Sequence, residues 1–165
     1  MNTDLIRRIL ILILFVVAQV LVLNNIHIFN CATPLLYVYY VITFPRNHTR
    51  WITILLSFLL GLCVDTFTNT PGLACASMTL IAFLQPYILE LFLDREDADD
   101  FVPAVKTMGW MRFIIFSMII TFIYCLVFFS LEAFNFFNWI QWLLCIVTSY
   151  LLTMALIIVI DGIRK

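Results

Sequence analysis

Charge is scarce in this chain. Only 12% of its 165 residues are charged, 64% are hydrophobic, and the mean hydropathy is +1.09. A soluble domain carries about 25% charged and about 45–50% apolar residues. No water-soluble core of this length could hide so much apolar surface, so the solvent must be lipid. Chemical signatures are missing too. The sequence holds no GxGxxG, P-loop, GxSxG or HExxH. Its five cysteines, Cys31, Cys63, Cys75, Cys125 and Cys145, form no CxxC. They read as small packing hydrophobes, with the pairing of Cys31 left open. Short alternating apolar and polar segments are absent as well, which argues against a porin-like barrel.

What remains is long continuous apolar runs. A spanning helix needs about 20 apolar residues. Six spans are expected, at roughly 5–23, 29–45, 50–66, 71–91, 110–131 and 138–160. The second is the weakest. Pro34 and Pro45 bracket a run too short to cross alone, so it must start early, tilt or be broken. The expected class is an all-α membrane protein, one six-transmembrane-helix bundle over residues 1–165 with no soluble domain. Any chemistry would have to happen inside the helices.

The basic residues support this count. Arg7, Arg8, Arg46, Arg50, Arg95, Lys106, Arg112, Arg164 and Lys165 all fall on one side of a six-span layout. Bases are retained on the cytoplasmic side, so both termini are expected there. The first run shows no small-x-small cleavage site and reads as a retained signal anchor. Trp51 and Trp110 fall near the inner interface, and Trp139 and Trp142 near the outer. His27 and His48 fall on opposite sides and offer no paired metal site. Asn47-His48-Thr49 matches a glycosylation sequon but lies in an inner loop, and reads as chance.

Few polar residues sit near membrane depth. Asp65 ends the third span in the stretch GLCVDTFTNTPG. It has two readings. As a structural group it would fold back onto the free N–H groups and positive dipole end of the next helix. As a functional group it would form an ion or ligand site at the outer mouth. Thr70-Pro71 has the form of an N-cap followed by a first helical residue, and Thr33-Pro34 echoes it. Gln85-Pro86 marks a kinked, polar-faced fourth span, where Ala74, Ala76, Ser77 and Thr79 allow close packing. Glu90 and Glu132 read as interfacial. The run DREDADD, with Asp94, Glu96, Asp97, Asp99 and Asp100, lacks the turn glycine and closing glutamate of a calcium loop. It is either a solvated repelling loop or a cytoplasmic strip for a basic partner. No nucleophile–base pair or second buried acid accompanies Asp65, so no enzyme activity, metal, cofactor or nucleic-acid partner is expected.

GLCVDTFTNTPG, continued by LACASMTLIAFLQPYIL, resembles the signature region of the rod shape-determining protein MreD family. The matching positions are Gly61, Leu62, Asp65, Pro71 and Gly72, with Ile81-Ala82-Phe83-Leu84 following. The motif covers about residues 61–89, and the rest of the likeness is hydropathy. Two features depart from the pattern. Gly72 follows the proline directly, and Leu73-Ala74-Cys75 stands where a polar residue is common. The resemblance implies a non-enzymatic scaffold of the bacterial elongation machinery in the cytoplasmic (inner) membrane. Its partners would be MreC directly, MreB and the elongation transglycosylase and transpeptidase in the same complex, and membrane lipid. It also implies a fold like the S-components of energy-coupling-factor transporters. The alternative, from that layout, is a small-molecule-binding transporter subunit.

Overall fold

The computed structural model describes residues 2–21, 34–45, 49–70, 72–93, 102–133 and 139–163. Helix α1 covers Asn2–Leu21, α2 Val38–Ile42, α3 Arg50–Thr68 and α4 Leu73–Glu90. Helix α5 covers Val105–Met108, α6 Trp110–Glu132 and α7 Trp139–Ile163. The described residues are 85% helical and hold no strand. Four of the described helices, α3, α4, α6 and α7, are long and apolar enough to cross a membrane. Helix α1 falls outside that set because Asp4, Arg7 and Arg8 occupy its first two turns.

Helices α3 and α4 form an antiparallel hairpin. At one end Arg50 meets Tyr87, and at the other Asp65 meets the first turn of α4. Helix α1 packs on α3, α6 on α4, and α7 on α6. The buried stripe of α3 includes Ser57, Leu60, Gly61, Val64 and Asp65, spaced three and four apart. On α4 it includes Ala74, Ser77, Met78, Ile81 and Ala82. The outward faces carry larger apolar groups, such as Leu55 and Phe58 of α3 and Leu143, Val147 and Leu151 of α7. At the α3–α4 seam the small side chains face inward. Without a hydrophobic drive between helices in lipid, small and hydroxylated side chains let backbones approach.

The expected second span looks different in its described part. Residues 34–45 contain only the five-residue α2 and its flanking turns. Pro34 opens the segment without a backbone donor, and Pro45 turns Phe44 away from helix. From Leu35 to Phe44 no residue is more than 8% exposed. The segment lies among all five long helices. Gln19 of α1 donates Nε2 to the Pro34 carbonyl (2.8 Å), and α3 packs against α2. Gln85 of α4 donates Nε2 to the Phe44 carbonyl (3.3 Å). The hydroxyls of Tyr37 and Tyr124 of α6 are hydrogen-bonded. The Leu35 N–H donates to Thr153 Oγ1 of α7 (3.1 Å). Every direction around the segment is thus filled by protein, so its backbone ends find partners in side chains instead of water.

Candidate functional site

The loop between α3 and α4 begins where α3 stops. Asn69 adopts the left-handed conformation (φ 57°) and closes α3, its N–H reaching the Asp65 carbonyl. The Thr70 N–H reaches the same carbonyl at 3.3 Å. Gly72 stands at φ 87°, a region that strongly favours glycine, and is the N-cap of α4. Glycine has no side chain to accept from the first N–H groups of α4. Asp65 supplies that acceptor from across the hairpin. Its Oδ1 accepts the Ala74 N–H and its Oδ2 the Cys75 N–H, both at 2.9 Å. These are the second and third N–H groups of the helix, the pair an N-cap side chain ordinarily serves. The carboxylate also faces the positive end of the α4 dipole.

Thr70 is therefore not the N-cap of α4. The helix begins at Leu73, and the Thr70 hydroxyl donates instead to Asp65 Oδ1 (3.1 Å). Sequence adjacency to Pro71 suggested the cap. The helix starts after Gly72, three residues beyond Thr70. Thr68 Oγ1 lies 2.6 Å from Thr70 Oγ1 and 2.9 Å from the Val64 carbonyl oxygen, so its one proton is shared between two acceptors. Pro71 lies outside the described residues.

Gly61 sits one turn before Asp65 on the same face. A Cβ there would meet Cys75 Cα at 2.6 Å and the Ala74 carbonyl oxygen at 2.8 Å. These are backbone atoms. Gly61 and Asp65 together form a seat: the glycine admits the first turn of α4 and the carboxylate fixes it. Asp65 is only 6% exposed. Three donors from its own chain occupy its oxygens, which suits a fastener.

At the opposite end of the hairpin, Gln85 faces the core and ties α4 to the Phe44 carbonyl, as described. Pro86, inside α4, lies beside a cavity of about 360 Å³ that Arg50, Tyr87 and Glu90 also line. Asp94, Glu96, Asp97, Asp99 and Asp100 lie outside the described residues, as do Cys31, His27 and His48. Cys63, Cys75 and Cys125 are free thiols. Among the described residues, no three His, Cys, Asp or Glu side chains gather as metal ligands.

One buried acid escapes the sequence reading. Asp161, near the end of α7, is 6% exposed. Its Oδ1 accepts the Tyr39 hydroxyl (2.8 Å), and its Oδ2 accepts the Val105 N–H at the start of α5 (3.1 Å). It joins α7, the central segment and the short helix leading into α6. The mark that could have found it is the one Asp65 carries, an acid placed directly after an apolar run, here Leu156–Ile160.

The class these helices define is an all-helical, multi-pass membrane protein. No protein-family model, curated protein or solved structure matches the chain.

Proposed function

We propose that this protein is a non-enzymatic scaffold of the bacterial elongation machinery, of the MreD kind, which holds MreC by helix contacts within the cytoplasmic membrane. In this reading the bundle has six spans, both termini are cytoplasmic, and the layout resembles an S-component. MreB and the elongation transglycosylase and transpeptidase belong to the same assembly, and the acidic run 94–100 offers it a cytoplasmic contact. The observation that carries the reading is the Gly61–Asp65 seat. The residues of the signature stretch that are described have structural work in one hairpin: Gly61 admits α4, Asp65 fastens it, and Gly72 turns the chain. A motif spent on helix placement fits a docking protein. It fits a transporter subunit less well, because the carboxylate such a subunit would offer a ligand already has three donors.

Co-expression with MreC and purification in mild detergent tests the reading. The two chains should be recovered together, and a clean deletion in a rod-shaped host should give rounded cells. Failure to recover MreC, with normal rod growth in the deletion, would overturn it.

A further inference from the structure

We propose that the Arg50 end of the α3–α4 hairpin is a binding site for an aminophospholipid, with the lipid phosphate on Arg50, its ammonium on Glu90, and an acyl chain along the groove toward Gly72. This stands on the membrane class of the protein and not on the scaffold reading.

The cavity of about 360 Å³ beside Pro86 is of ligand size. Among the described residues, its charged lining is one cation and one anion, Arg50 and Glu90. Arg50 is held across the mouth by α4. Its Nη1 donates to the Tyr87 hydroxyl at 3.3 Å, and its guanidinium lies 5.3 Å from the Tyr87 ring centre. A guanidinium has five N–H donors in a planar fork, so most of its capacity for phosphate oxygens remains after that bond. Trp51, 81% exposed, lines the same mouth with the amphipathic ring common at headgroup depth. Gln85 also lines the cavity and gives one of its two amide N–H groups to the Phe44 carbonyl.

A shallow, open surface track shares Ile54 and Phe83 with this cavity. It runs along the same helix pair past Phe58, Leu80, Ala76 and Cys75 to Gly72. Charge lies at one end and apolar surface along the remainder, which is the polarity of a lipid. Glu90 refines the choice. A purely anionic headgroup would meet repulsion from that carboxylate, whereas an ethanolamine ammonium brings three N–H donors to it. A choline headgroup has the charge but no N–H.

The test is native mass spectrometry of the purified full chain, with phosphatidylethanolamine, phosphatidylglycerol or phosphatidylcholine added. The ethanolamine lipid should be retained about tenfold better than the other two, the size of one charge-assisted hydrogen bond. Arg50→Gln should lower its retention by about tenfold. Glu90→Gln should bring it down to the level of phosphatidylglycerol. Ala76→Phe, which fills the apolar groove, should lower retention of all three. Soluble phosphoethanolamine should raise the melting temperature of the protein far less than the lipid does. Equal retention of the three lipids by the wild type would reduce the site to ordinary annular lipid and overturn the proposal. So would wild-type retention in both charge variants, or equal stabilisation by the soluble headgroup. Loss of MreC capture in these variants with lipid retention unchanged would assign the groove to a partner helix and also overturn it.

Discussion

Gly61 faces the backbone of Cys75 so closely that a Cβ on the first would stand 2.6 Å from the Cα of the second. Neither atom belongs to a side chain that could swing away. Gly61→Ala should therefore force α3 and α4 apart and cost about 1–3 kcal/mol, the usual range for overpacking. Gly162→Ala is the control. A Cβ there meets nothing within 4 Å, and replacing a helical glycine stabilises by about 0.4–1 kcal/mol. Melting curves of the two variants in one detergent should move in opposite directions.

Asp65→Asn keeps the size of the side chain but turns one acceptor oxygen into a donor. Ala74 and Cys75 each present an N–H to a different oxygen, so one of them loses its partner. The expected cost is about 1–3 kcal/mol for the unpaired group. The melting temperature should fall while cysteine-accessibility mapping shows unchanged topology. A wild-type melting temperature would show that the fastening is unimportant.

Asp161→Ala removes both acceptors, that of the Tyr39 hydroxyl and that of the Val105 N–H. Residues 105–108 should lose protection in hydrogen exchange, since α5 is a single turn whose first N–H depends on that carboxylate. Tyr39→Phe removes only the hydroxyl, and should leave exchange at Val105 nearly unchanged.

Tyr37 and Tyr124 share one hydrogen bond between fully buried hydroxyls. Either single change to Phe leaves the other hydroxyl unpaired and should cost about 1–3 kcal/mol. The double variant should cost clearly less than the sum of the singles, which a double-mutant cycle of unfolding free energies measures.

The hairpin is legible in the sequence because its marks are local. An acid after an apolar run, a glycine one turn earlier and a polar turn of a few residues all lie within GLCVDTFTNTPG. Thr70 shows where local reading stops. Its neighbour Pro71 suggested a cap, but the acceptor for Ala74 came from Asp65, nine positions back, over a turn whose shape depends on Gly72. Asp161 carried the same mark as Asp65 but stood beside Gly162, Arg164 and Lys165, where an acid reads as part of an interfacial tail. The burial of residues 34–45 has no local mark beyond two prolines. It depends on partners such as Tyr124 and Thr153, which no window of neighbouring residues contains.

The enclosed position of residues 34–45 sets a waiting time during synthesis. Two of its anchors, Thr153 and Asp161, come 118 and 122 residues after the groups they hold. At about 5–20 residues per second, the ribosome delivers them on the order of ten seconds later. Until then the Leu35 N–H and the Tyr39 hydroxyl must find provisional partners in water, the insertion machinery or one another. Helix α7 is thus the one that seals residues 34–45, and a ribosome stalled before it would leave a bundle open at its centre.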